Sequence, residues 1–196
     1  MCFEIVCNLI LGIWNFMVIG IDISQIAHEG TGVATYVRRM VASLVRLDKK
    51  NRYVFFGASL RKRYVFDEFV KSLGPATNMR LVSVPIPPTV LEILWNRLHI
   101  FPVELFTGPV DVFWSSDWTQ PPLARAKGVT TIHDLTVFVV PDETDKRIVE
   151  AQTRRTRLAA HSCRAFFCDS EATKRDFVKA YRLPERNVTV VYPGIA

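Results

Sequence analysis

Cysteine is scarce in this chain. Its four residues, Cys2, Cys7, Cys163 and Cys168, form no Cys-x-x-Cys pair and have no histidine at zinc-finger spacing. A disulfide framework is thereby excluded, and the thiols read as reduced cysteines of a cytosolic protein, two of them in or beside a core strand. Nothing in the sequence resembles a metal site. Acidic residues are outnumbered, 19 against 25 basic ones, for a net charge of +6. Such a surface attracts anions: phosphorylated ligands, acidic lipid headgroups or nucleic acid. No RNA- or DNA-binding motif accompanies the charge, so no nucleic-acid partner is expected. Low-complexity segments are absent too, as are repeats with a period of about 20–50 residues.

Charge is missing altogether from Ile5 to Ile21. A run of that length sits at the lower limit for a membrane span, about 17–25 residues, and Asn8 and Asn15 interrupt it while Glu4 precedes it. There is no basic leader region and no small-residue cleavage site, which excludes a signal peptide. Met17 followed by Val18-Ile19-Gly20-Ile21-Asp22-Ile23 has the form of a first core strand. The favoured account makes residues 1–16 an apolar extension from an upstream start codon; a membrane anchor is the alternative.

What the chain does contain is an alternation of strands and helices. With 49% hydrophobic and 22% charged residues over 196 positions, it fits one globular domain that buries about 70% of its unfolded surface. Strands are expected at 17–23, 51–57, 79–84, 110–114, 129–132, 164–169 and 187–191. Between them, Val33, Val37, Met40, Val41, Leu44 and Leu47 recur at helical steps. Arg61 to Lys71 mixes basic and aromatic residues in a further helix, readable as a solvated basic face over a buried aromatic stripe or as a contact for an acidic membrane surface. Leu91, Leu94, Trp95, Leu98, Phe101 and Leu105 mark an apolar helix interrupted at Pro102. Val137 to Val140 leads into a long helix over 144–162 carrying Arg147, Arg154, Arg155 and Arg157, and Ser170 caps a last helix that turns Phe177, Val178 and Tyr181 inward. This order predicts an α/β fold, a Rossmann-like parallel sheet of about seven strands with helices on both faces.

In such a sheet, ligands bind beyond the carboxyl ends of the strands. Three strands end there in polar pairs: Ser116-Asp117, His133-Asp134 and Asp169-Ser170. The loop after the first strand carries Gly30-Thr31-Gly32 and opens a helix, a geometry that aims backbone N–H groups at an anion or, equally, makes a plain tight turn. It is not a dinucleotide fingerprint, because Thr35 stands where the third glycine belongs. A nucleotide-dependent oxidoreductase is disfavoured on that ground. Singly, the His133-Asp134 pair reads as a capped turn or as a site, and Ser170 as a cap alone or as a cap with a further role; their convergence on one edge favours function.

Six pieces in order, Ile19-Gly20-Ile21-Asp22, Gly30-Thr31-Gly32-Val33-Ala34-Thr35-Tyr36, Asp111 to Asp117, Thr131-Ile132-His133-Asp134-Leu135, Ser170 to Asp176 and Val188 to Ile195, resemble the amino-terminal half of retaining glycosyltransferases of the GT-B fold, family four. The resemblance spans Met17 to Ala196. It implies that this half holds the acceptor, a glycan or lipid-linked sugar, while a carboxyl-terminal domain holds a nucleotide-sugar donor as co-substrate, with no metal and no resident cofactor. His133 would face the transferred sugar as the catalytic residue. Gly30, Thr31, Gly32, Tyr36, Ser116, Asp117, Asp134 and Ser170 would contribute to substrate binding, with Asp134 orienting its loop. Residues 17–191 are then the domain, and 192–196 resemble the start of a linker to a donor domain, supplied by a partner chain or lost by truncation. The 196 residues alone are expected not to turn over. Cytoplasmic location follows, with peripheral contact at the inner membrane face as an option. The competing reading is a non-catalytic module that keeps this fold and holds a glycan or a membrane surface.

Overall fold

A computed structural model describes residues 16–75, 77–135, 138 and 144–193. The expected extension up to residue 15, the stretch 137–143 apart from Phe138, and the end of the expected linker at 194–196 lie outside the described residues.

Seven strands form one sheet: β1 (Val18–Asp22), β2 (Arg52–Ala58), β3 (Met79–Val84), β4 (Val112–Ser115), β5 (Lys127–Ile132), β6 (Cys163–Cys168) and β7 (Val188–Val190), in the order β3-β2-β1-β4-β5-β6-β7. Every pairing is parallel. β1 is the pivot, pairing Ile19 with Tyr53 of β2 on one side and with Val112 of β4 on the other. The direction of winding reverses between β1 and β4, which opens a crevice at their carboxyl ends.

Helix α1 (Gly32–Leu47) starts at Thr31, whose hydroxyl accepts from the Ala34 N–H, and buries Ala34, Tyr36, Val37, Val41 and Val45. Leu47, expected on this stripe, is exposed, because it is the last helical residue and Asp48 turns the chain away immediately after it. The Asp48 carboxylate accepts from the Lys50 and Asn51 N–H groups, the Asn51 amide and the Tyr53 hydroxyl, while Asn51 Oδ1 takes the Met17 N–H. Burial opposes ionisation of Asp48, yet the bonds from Tyr53 and Asn51 win and hold its carboxyl below the usual range. One acid thus ties the end of α1 to the starts of β1 and β2. Helix α2 (Arg63–Ser72) buries Val65, Phe66 and Phe69 and leaves its basic residues outside, so the aromatic stripe belongs to the core. The Phe66 ring lies over Gly57, where a Cβ would stand 2.6 Å from it.

The helix expected over 91–105 is broken. It starts as α3 (Pro88–Leu91), widens into a π turn (Glu92–Arg97) and resumes only as α4 (Glu104–Thr107). Pro102 disfavours helical geometry at the residue before it, and Phe101 takes φ 61°, with His99 at 50°. The apolar spacing in the sequence survives the break because Trp95, fully buried, anchors the turn by donating its Nε1–H to the Phe101 carbonyl at 3.0 Å. Helices α5 (Lys146–Ser162) and α6 (Glu171–Tyr181) complete the fold, with Phe177 buried as expected. Among the described residues no helix is long and apolar enough to cross a membrane.

Candidate functional site at the carboxyl edge of the sheet

Because β1, β4, β5 and β6 are adjacent and parallel, their ends deliver Asp22, Ser116-Asp117, His133-Asp134 and Asp169-Ser170 to one edge. There His133 Nδ1 lies 2.7 Å from Asp169 Oδ2, with both side chains about four-fifths buried. The ring of Tyr36, from α1, meets the His133 ring edge-on at 4.8 Å between centroids, and Trp114 packs edge-on against Tyr36 from behind. A histidine held by a carboxylate at one ring nitrogen keeps the other for a ligand. Burial pushes the Tyr36 hydroxyl up to about 12, so it stays neutral.

Beside this pair, Asp117, Thr131, His133, Asp134, Gln152 and Arg155 line a small pocket of about 130 Å³. Arg155 is 1% exposed. Its Nη2 donates to the Ser116 carbonyl at 2.7 Å, to the Thr131 carbonyl at 3.3 Å and to the Thr130 hydroxyl. The guanidinium thereby fastens the end of β4 to the end of β5. Burial lowers its pKa, while the charge of Asp117 acts in the other direction. Asp117 Oδ1 and Arg155 Nε are buried with no hydrogen-bond partner. On β1, Asp22 accepts the Ser24 N–H at Oδ1, and Oδ2 is buried with no hydrogen-bond partner. Burial raises the Asp22 pKa, bonds from Ser24 and Ser116 oppose the rise, and Asp117 adds to it.

A second concavity, an open groove of about 840 Å³, runs along α1 from Gly30, Thr31 and Gly32 to Arg46 and is closed on one side by Tyr192. Tyr36 lines this groove and meets the ring of His133, which lines the small pocket. Gly30 sits at φ 84° and needs to be glycine for that turn, whereas Gly32 has nothing within 4 Å of where a Cβ would be, so the approach to the start of α1 is open. The first N–H groups of the helix precede any intrahelical bond.

The structure therefore collects His133, Asp134 and Asp117 in one pocket, and Gly30, Thr31, Gly32 and Tyr36 in the groove next to it. Two expected residues serve the backbone. Ser116 is buried, its Oγ paired with Thr119, and Ser170 caps α6 by accepting the Thr173 N–H at 3.1 Å. Sequence reasoning missed Asp169 as the partner of His133, although it stood in the polar pair at the end of β6. It also named Arg155 only as one of four arginines on α5, with no role of its own. Its signal was the small stripe Ala151, Arg155 and Ala159 at four-residue steps, where the long side chain fills the space that alanines leave. Among the described residues no group of three or more His, Cys, Asp or Glu is placed to hold a metal ion.

Against known proteins, the model of the family described as Glycosyltransferase Family 4 matches residues 30–196, from the glycine turn onward. No curated protein matches the chain.

Proposed function

This chain belongs to glycosyltransferase family 4, and from that membership we propose that it forms the acceptor side of a retaining transferase. In this reading a sugar passes from a nucleotide-sugar donor to a glycan or lipid-linked acceptor. The bond between the anomeric carbon and the leaving diphosphate breaks, a bond to an acceptor hydroxyl oxygen forms on the same face, and the hydroxyl proton passes to an oxygen of the leaving diphosphate. Positive charge grows on the anomeric carbon and negative charge on the diphosphate. The free N–H groups at the start of α1, approached over Gly30 and Gly32, suit the diphosphate. His133, fixed at Nδ1 by Asp169 and in ring orientation by Tyr36, suits a sugar hydroxyl with its remaining nitrogen.

The observation that carries the reading is this braced histidine on the edge that also carries the open helix start. Donor phosphates need a second wall across the edge, so the 196 residues assayed alone are expected to show no transfer. The test is nucleotide release from a panel of nucleotide sugars, with a donor-binding half of the family joined to this chain. His133→Ala should lower transfer by about 100-fold or more. Asp169→Asn, which keeps the shape and loses the charge, should lower kcat by about tenfold with KM little changed. Full activity in the folded His133→Ala protein would refute the assignment.

A further inference from the structure

The small pocket beside His133 is graded from an apolar mouth to a polar floor. Along α5, Ile148, Gln152 and Arg155 follow one another at four- and three-residue steps, so one face of the helix lines it. Over about 10 Å of helix rise, exposure falls from 40% at Ile148 to 1% at Arg155. Phe138, 37% exposed, joins Ile148 at the mouth. On the floor, Arg155 Nε and Asp117 Oδ1 are buried with no hydrogen-bond partner among the described residues. A fixed donor and a fixed acceptor are thus left unpaired in one small space. Buried polar groups of this kind are exceptions in folded proteins, and a ligand or a water has to complete them.

Size and charge identify what completes them. The volume of about 130 Å³ is the liquid share of roughly four waters at ~30 Å³ each, so the pocket admits one edge of a single sugar ring. Its charged lining is Asp117, Asp134 and Arg155, two acids against one permanent cation, with His133 held by Asp169. An anion would meet Asp117 at the oxygen that lacks a partner, and like charges repel most where water is excluded. A sugar hydroxyl is neutral and both donates and accepts. One hydroxyl of an adjacent pair donates to Asp117 Oδ1 while the oxygen of its neighbour accepts from the Arg155 Nε–H, and both bonds are charge-assisted. The C–H face of the ring then lies against Phe138 and Ile148, as in other sites with an apolar wall and a few placed polar groups. The groove along α1 is the opposite case: Arg39 and Arg46 line it and, among the described residues, no acid does, so anionic groups belong there.

We propose that this pocket selects a neutral sugar by two adjacent hydroxyls, paired with Asp117 and Arg155, and that the acceptor of the transfer is therefore an uncharged pyranoside. His133 connects the two spaces, since it lines the pocket while its ring meets Tyr36 of the groove. A donor with its diphosphate at the start of α1 and an acceptor in the pocket would meet at the histidine. Arg155 then has two duties, with Nη2 fastening β4 to β5 and Nε left for the sugar. Naming that sugar the acceptor rests on the transferase reading; the preference for neutral adjacent hydroxyls rests on the lining of the pocket alone.

The test titrates the methyl pyranosides of glucose, galactose and mannose into the isotope-labelled full chain and follows backbone amide shifts, up to about 50 mM so that a millimolar Kd is visible. At least one of the three should shift the amides of Thr131, His133 and Gln152. Its uronic-acid counterpart should bind at least about fivefold more weakly. Deoxy analogues of the same sugar should lose about tenfold at two neighbouring positions, and Asp117→Asn should lose about as much with its circular dichroism unchanged. The deoxy series uses wild type alone and decides the matter if the variant does not fold. Absence of shifts with all three sugars means that water alone fills the pocket, and the proposal fails. It fails too if the uronic acid binds as tightly as the neutral sugar, or if the deoxy losses fall on no neighbouring pair. Binding as expected with no transfer by the joined enzyme sinks the transferase reading alone. Transfer whose acceptor KM is unchanged by Asp117→Asn overturns the role of the pocket and leaves that reading intact.

Discussion

Removing the Arg155 side chain puts the construction of the site edge to a quantitative test. In Arg155→Ala, the Ser116 and Thr131 carbonyls lose the Nη2 donor that now reaches both. Buried acceptors left unpaired cost about 1–3 kcal/mol each, and the vacated volume adds about 2 kcal/mol. Opposing this, a guanidinium that is fully buried no longer has to be stripped of water, which returns about 2–3 kcal/mol. The balance is a loss of about 1–6 kcal/mol, with its centre at about 3–4 kcal/mol, a large part of the ~5–15 kcal/mol that holds a domain together. Urea unfolding followed by tryptophan fluorescence suits the measurement, since Trp114 is buried on β4 against Tyr36 and Phe167. Arg155→Met, which keeps most of the volume, should recover about 1–2 kcal/mol of the loss. A loss below about 1 kcal/mol in the alanine variant would refute the reasoning, because the bonds to β4 and β5 would then be worth no more than the burial they require.

Asp22→Asn should stabilise the protein at pH 7 by about 1–2 kcal/mol. Burial raises the Asp22 pKa, so ionisation subtracts stability as pH climbs from the ordinary aspartate value through the raised one; the advantage should vanish in melts run below that range. Glu104 behaves oppositely: burial opposes its charge, but three backbone N–H bonds hold its pKa down. It therefore adds stability above the ordinary glutamate value, lost as pH falls through the lowered one. Glu104→Gln should cost about 1 kcal/mol at pH 7, after allowance for solvent screening, with thermal midpoints converging in acid. Gly57→Ala, which drives a Cβ to 2.6 Å from the Phe66 ring, should destabilise by about 1–3 kcal/mol in chemical denaturation, and Phe66→Leu should recover part of that loss.

The sheet was legible in the sequence because parallel strands buried on both faces are short apolar runs, and all seven were found within a few residues of their ends. Helix α1 was legible down to its glycine turn, but its stripe was extended to Leu47, since periodicity alone does not say where the sheet ends. The segment over 91–105 kept a helical spacing of apolar residues while its backbone broke at Phe101, because side chains can converge on Trp95 without a continuous helix. The polar strand ends were found by the rule that ligands gather there. Their division of labour was not, because whether Ser116 faces a ligand or closes a turn with Thr119 depends on a loop that local sequence does not fix. Asp169 and His133 are 36 residues apart, and only the adjacency of β5 and β6 brings them together.

The pivot strand has a consequence for the nascent chain. β1 finds β2 soon after it is made, but its other neighbour is far off: the Val18 N–H is bonded by Asp111, 93 residues later. At about 5–20 residues per second, Ile19 and Ile21 wait roughly 5–20 s on the ribosome with one hydrogen-bonding edge open. During that interval the half-sheet β1-β2-β3, already backed by α1 and α2, is the unit most exposed to pairing with a neighbouring chain. A circular permutant that begins at β4 and joins the ends through a linker would emerge in the order β4 to β7, then β1, β2 and β3. β1 would then meet a completed β4 on arrival. Its soluble yield during cell-free synthesis should exceed that of the natural order.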